Sequence, residues 1–232
     1  MSEALSIITN FGCHFKCPEC IVKNNHIEVP KTTLEGLDGL ADAFIKKHCD
    51  KITISGGGDP LFQYEKNVEW YRKLFRIMPE ISKRKGHSIN VEMHTSFLTD
   101  QTPFPFYNCH RAVYHVHTLD DLKHVYRTGK EIVRVVFVVT PDYTIEEILN
   151  IAEYVKNSTE INELSFRQYV DADYNSVPHL EKYLKLGHEK LWYYIEQNDY
   201  NLYYAENQTY TRYRDFQSNI HDNPELLGRE DT

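Results

Sequence analysis

Short runs of apolar residues alternate along the chain with longer stretches in which apolar positions recur every three or four residues. The short runs predict strands at about 4–10, 51–55, 88–94, 111–117, 132–139 and 163–170. The fifth, Ile132-Val133-Arg134-Val135-Val136-Phe137-Val138-Val139, is apolar almost throughout, which predicts burial on both faces as in a parallel sheet. The longer stretches predict helices near 33–48, near 65–78, in a short piece near 119–127, after Thr144, and near 179–198. Thr32-x-x-Glu35 and Thr144-x-x-Glu147 each offer a capping box to the helix that follows.

Strands joined by helices must run parallel, with right-handed crossovers. Six such units are too few for an eight-fold barrel, so the expected architecture is α/β, a partial (β/α)6 barrel. No linker, low-complexity segment or internal repeat interrupts the pattern, and residues 1–198 read as one core domain. Residues 199–232 form an extension rich in tyrosine: Tyr200, Tyr203, Tyr204, Tyr210 and Tyr213. It is expected to pack on the core as a hairpin or as a cover for the barrel's open side, with stacking on a substrate as the sharper alternative. Its end, after about Asn219, is polar and expected to be loose.

Candidate chemistry begins right after the first strand. Gly12-Cys13-His14-Phe15-Lys16-Cys17-Pro18-Glu19-Cys20 carries three cysteines in the pattern CxxxCxxC. A cubane iron–sulfur cluster usually takes four thiolates, so three leave one iron open to a small molecule. Gly12 permits a close turn, and Pro18 fixes a bend. Zinc is the competing occupant, with His14, His26, Cys49 or Cys109 as a fourth ligand. A second pair at CxxC spacing is missing, which argues against a four-cysteine zinc ribbon. Cys49, ending a helix, and Cys109, in a loop region, read as unpaired or partly buried thiols rather than ligands. The second strand runs into Gly56-Gly57-Gly58-Asp59-Pro60-Leu61, a glycine run that on its own reads equally as an ordinary tight loop.

In that order, on two strand ends, these motifs resemble those of the radical S-adenosylmethionine (radical SAM) enzymes over about residues 5–198. Two positions depart from the family pattern. Glu19 stands where an aromatic residue usually precedes the third cysteine, and Asp59 stands where the glycine motif usually has Glu. The resemblance implies the same partial barrel. It implies that Cys13, Cys17 and Cys20 hold three irons of one 4Fe–4S cluster, with SAM on the fourth. Gly56, Gly57, Gly58 and Asp59 would hold the methionine amino group through backbone atoms. Later strand ends would complete the SAM site, and Thr95, His117, Arg134 and Arg167 are the candidates there. His115 and His117 alternate on the fourth strand and so share a face. Arg134 and Arg167 are charges in apolar strands and need a carboxylate, either a ligand's or a neighbour's.

The implied activity is reductive cleavage of SAM to a 5′-deoxyadenosyl radical that abstracts hydrogen from a substrate. An external one-electron reductant of flavodoxin or ferredoxin type would supply the electron. A small molecule, a nucleoside or heterocycle, is the preferred substrate. A glycyl-radical activase or a peptide-modifying enzyme is the alternative. A non-catalytic zinc or iron–sulfur module is the alternative from another class. The formal charge of −8, from 26 basic and 34 acidic residues, argues against a broad grip on nucleic acid. No stretch approaches a membrane span and no secretory signal pattern opens the chain, so a reducing cytoplasmic setting is expected, as an oxygen-sensitive cluster would need.

Overall fold

Six parallel strands lie side by side in chain order: β1 (Ala4–Ile8), β2 (Lys51–Ser55), β3 (Asn90–Thr95), β4 (Arg111–His115), β5 (Ile132–Val139) and β6 (Glu163–Val170). The computed structural model describes residues 4–15, 17, 19–24, 28–99, 101–127, 132–171, 175–187, 191–196, 201–213 and 215. Pro18, His26, Tyr200 and the expected loose end lie outside the described residues. Both edges of the six-strand core are extended. At the β6 edge, β7 (Ser176–Val177) adds antiparallel and β8 (Tyr193–Ile195) parallel. At the β1 edge, β9 (Asn201–Ala205) adds parallel, and β10 (Gln208–Tyr210) adds antiparallel to β9. Among the described residues, the result is a mixed α/β fold around a mostly parallel ten-stranded sheet.

Strand side chains alternate between faces, and the two faces differ in chemistry. One carries Leu5, Ile7, Ile52, Ile54, Val91, Met93, Ala112, Tyr114, Val133, Val135, Leu164 and Phe166, all in the main hydrophobic core. Helix α1 (Ile21–Asn24) follows the cysteine loop. Helices α2 (Leu40–Lys46), α3 (Val68–Lys85) and α4 (Ile145–Asn157) bring Phe44, Trp70, Tyr71, Leu74, Ile148 and Ile151 to the same core. The alternate positions are largely polar: Ser6, Thr53, Glu92, His94, Arg111, His115, Arg134, Glu163, Ser165 and Arg167. A polar sheet face can be retained only where its groups find partners or a ligand.

Near the strand starts these groups pair with one another. Lys51 meets Glu92 at 3.2 Å, and Glu92 meets Arg111. Arg111 reaches Glu163 at 3.2 Å, and Glu163 holds Arg134 at 2.6 Å. Glu92 is 3% exposed, and burial alone would disfavour its charge. The His94 ring at 3.8 Å and the Lys51 and Arg111 charges override that and hold its carboxyl well below the ordinary range.

Several helix expectations change. The box at Thr144 forms: Glu147 N–H donates to the Thr144 hydroxyl at 3.2 Å, and Thr144 N–H donates to the Glu147 carboxylate at 2.7 Å. The box at Thr32 does not, because the Thr32 hydroxyl donates instead to the Tyr204 carbonyl of β9 at 3.2 Å. A 3-10 turn (Glu35–Leu37) then precedes α2. The α3 helix runs past the expected end, through Pro79, and stops at Gly86 in a left-handed conformation (φ 78°). The piece near 119–127 is one 3-10 turn (Asp121–His124). The expected helix at 179–198 is corrected: among the described residues of that stretch only α5 (Glu181–Lys185) is helical, Gly187 turns the chain at φ 63°, and Tyr193–Ile195 pairs as β8. No helix among the described residues is long and apolar enough to cross a membrane.

Candidate functional site

The cysteine loop leaves the end of β1 and the glycine loop leaves the end of β2, so adjacent parallel strands deliver them side by side. The two are bonded through the backbone, Asp59 N–H to the Gly12 carbonyl at 2.7 Å. This contact demands glycine at 58, where a Cβ would overlap the Gly12 carbonyl. Gly57 has φ 75°, and a Cβ there would press on Asn10 at 2.9 Å.

The Asp59 carboxylate is buried (3% exposed) and ties the glycine loop to the end of β3. Its Oδ1 accepts from Leu61 N–H at 2.8 Å and its Oδ2 from Ser96 N–H at 2.7 Å. The Thr95 hydroxyl donates to the same carboxylate, 2.7 and 2.9 Å from its two oxygens, and accepts from Phe97 N–H at 2.9 Å. Three strand ends, from β1, β2 and β3, are thereby held in one register.

Cys13, Cys17 and Cys20 line one cleft of about 310 Å³ with Gly56, Gly57, Gly58, Asp59, Thr95 and Arg167. Ser6, Thr53, Ser55, His94 and His115 line it from the polar sheet face, and Tyr203 and Tyr213 from the extension. These tyrosines meet edge to face at 5.5 Å, and Gly57 N–H donates to the Tyr213 hydroxyl at 3.3 Å. His94 Nδ1 lies 3.2 Å from His115 Nε2. Burial lowers the affinity of both rings for a proton, His115 most strongly. Thr53, which lines the cleft, has its Oγ1 buried with no hydrogen-bond partner among the described residues.

All three cysteines are free thiols. Burial pushes the Cys13 thiol up, against a hydrogen bond from Phe15 N–H to its sulfur at 3.4 Å. Cys17 lies 3.4 Å from His117 Nε2, and His117 Nδ1 lies 2.8 Å from the Glu19 carboxylate. These contacts, Cys17 first and then Glu19, raise the His117 pKa to about 10. Burial would raise the Glu19 carboxyl, and the His117 hydrogen bond brings it below its ordinary value instead.

The donor set distinguishes two occupants. One zinc ion holds thiolates at ~2.3 Å, which puts its sulfurs roughly 4 Å apart. The three sulfurs do not gather so closely. Among the described residues, the one group of three ligand atoms within 4.8 Å of one another is Cys17, Glu19 and His117. Three free thiols lining one cleft, with no fourth cysteine among its lining residues, are the donor set that a cubane with one open iron would take.

Of the expected site residues, Arg134 and His117 are not among those that line this cleft. Arg134 sits near the start of β5, bonded to Glu163, with its guanidinium 5.5 Å from the Tyr193 ring centre. The neighbouring acid, rather than a ligand, is its partner. His117 lies beyond the end of β4 at the cysteine loop, while His115 faces the cleft. Ser6, Thr53 and His94 were not singled out from the sequence, although a lone polar residue inside Leu5-Ser6-Ile7 or Ile52-Thr53-Ile54 was a usable signal. No protein-family model matches the chain, and no curated protein matches it at a significant level.

Proposed function

We propose that the protein is a single-cluster radical SAM enzyme acting on a small polar molecule. Cys13, Cys17 and Cys20 would hold three irons of a 4Fe–4S cluster, and SAM would take the fourth. The observation that carries this reading is the meeting of three free thiols and a glycine loop in one cleft, joined by the 2.7 Å bond from Asp59 N–H to the Gly12 carbonyl. When bound, cluster and SAM supply a 5′-deoxyadenosyl radical, by reductive C–S cleavage, that takes a hydrogen atom from the substrate.

The chain's own part is to bind, orient and exclude water. The turn at residues 56–59 offers backbone groups to the SAM amino group, with Asp59 fixing the turn from below. Arg167 offers a charge to a carboxylate of SAM or substrate. Thr53, His94 and His115 form a hydrogen-bonding floor suited to a nucleoside or heterocycle, and Tyr203 and Tyr213 cover it. On this reading the sheet curls around its polar face as a partial (β/α)6 barrel. The electron comes from a flavodoxin- or ferredoxin-type donor, in a reducing cytoplasm. One observation favours a second reading, a metal-binding module: Cys17, Glu19 and His117 could together hold a single ion.

Electron paramagnetic resonance on anaerobically reconstituted, reduced protein separates the two. The expected result is a reduced-cubane signal that changes when SAM is added. Stoichiometric zinc with no cluster signal after full reconstitution would overturn the radical reading in favour of the module.

A further inference from the structure

Glu19 and His117 form a built unit around one thiol. The imidazole has two nitrogens and faces two acceptors, the Glu19 carboxylate at 2.8 Å and the Cys17 sulfur at 3.4 Å. The ring is held from its backbone outward. His117 N–H donates to the Asp121 carboxylate at 2.9 Å, and the His117 carbonyl accepts from the Tyr143 hydroxyl at 3.1 Å. The Phe15 ring packs 5.9 Å from the imidazole centre. Both members of the pair are largely buried, at 26% and 14% side-chain exposure, so solvent screens them only in part.

We propose that this carboxylate and imidazole pair is a positioning device for the cluster, in which Glu19 aims His117 to donate a hydrogen bond to the Cys17 sulfur and so raises the cluster's reduction potential. The inference rests on the functional reading above. Hydrogen bonds to ligand sulfurs and nearby charge are recognised levers on iron–sulfur potentials, and partners outside the ligand set orient metal-bound groups. The electron from the external donor adds to the cluster core, which passes from dication to monocation; no bond forms or breaks. The reduced core carries more negative charge on sulfur, so a donor at Cys17 stabilises it more than the oxidised core. Glu19 occupies the position where the family pattern has an aromatic residue, so the device belongs to this chain's own sequence.

The test is a redox titration at one fixed pH, without SAM, followed by the resonance signal of the reduced cluster. It compares the wild type, His117→Phe, Glu19→Gln and the double variant. At the potential that half-reduces the wild type, His117→Phe should show a reduced-to-oxidised ratio about tenfold lower, the size a charge-assisted hydrogen bond carries. For one electron that is a midpoint about 59 mV more negative. The double variant should recover much of the loss, because it also removes the carboxylate stranded beside the cluster, and a merely structural His117 would give no such coupling. If His117→Phe takes up no iron, His117→Gln, which keeps a neutral donor, should give a smaller shift of the same sign. A wild type that forms no cluster overturns the functional reading together with this inference. A normal wild-type cluster with the same potential in every variant overturns the inference alone.

Discussion

Asp59→Asn isolates what holds the two motif loops together. Both carboxylate oxygens accept backbone N–H bonds, Oδ1 from Leu61 at 2.8 Å and Oδ2 from Ser96 at 2.7 Å. Asparagine matches the shape but has one oxygen. Whichever way its amide turns, an NH2 group faces a backbone N–H, and Leu61 is 1% exposed, so water cannot rescue its amide. A stranded buried donor costs about 1–3 kcal/mol, and losing the charge weakens the bonds that remain. A total of about 3 kcal/mol follows. With a urea slope of about 3 kcal/mol per molar, the unfolding midpoint should fall by about 1 M. The assay is urea unfolding of cluster-free protein, so that metal affinity does not enter the result. Thr95→Val should be non-additive with Asp59→Asn, since the Thr95 hydroxyl donates to that same carboxylate. A midpoint for Asp59→Asn within about 0.2 M of wild type, or strict additivity with Thr95→Val, would refute the view that this carboxylate sets the register of the loops.

Glu92→Gln should cost about 3 kcal/mol in urea unfolding, the low end for breaking a buried pair, because Lys51 and Arg111 keep some access to water. In the wild type the folded-state pKa of Glu92 is depressed, so its contribution is full above the unfolded-state value and is lost as pH falls; midpoints should decline below about pH 5 and hold between about 6 and 7. Gly58→Ala should abolish most iron uptake on reconstitution, since the new methyl overlaps the Gly12 carbonyl and parts the loops; iron content per chain checks this. Cys13→Ser, Cys17→Ser and Cys20→Ser should each lose the cluster absorbance, while Cys49→Ser, at a core position, should keep it.

The strands were legible because apolar runs in a parallel sheet are local signals, and β2, β5 and β6 fall where the sequence put them. The helix ends were less so, because distant partners decide them. Thr32 looks like a cap until Tyr204 takes its hydroxyl. Residues 191–196 carry helical-looking spacing, but the open edge of β6 recruits Tyr193–Ile195 as a strand. The cysteine and glycine loops stand out in the sequence as motifs at two strand ends, and the structure brings those ends side by side. Arg134 was not, because alternation along a strand gives the face but not which end of the sheet holds the cleft. Its true partner follows from register, Arg134 opposite Glu163, and no local pattern contains that. Glu19 was visible as a departure, but His117 lies far along the chain, and only the end of β4 brings them together.

The pairing of β1 with β9 has a consequence for biosynthesis. A ribosome delivers the cysteine loop (residues 12–20) long before β9 (Asn201–Ala205). Until then one edge of β1 is bare, the Thr32 hydroxyl lacks the Tyr204 carbonyl, and Gly39 N–H lacks the Asn207 side chain that it bonds at 2.8 Å. The nascent chain thus exposes three thiols beside an unpaired strand edge, a combination open to oxidation and to misassembly. Tyr203 and Tyr213, which line the cleft, arrive in the same late step. Vectorial synthesis therefore separates two events in time, and any metal loading that needs the finished cleft must wait for β9 and for Tyr213.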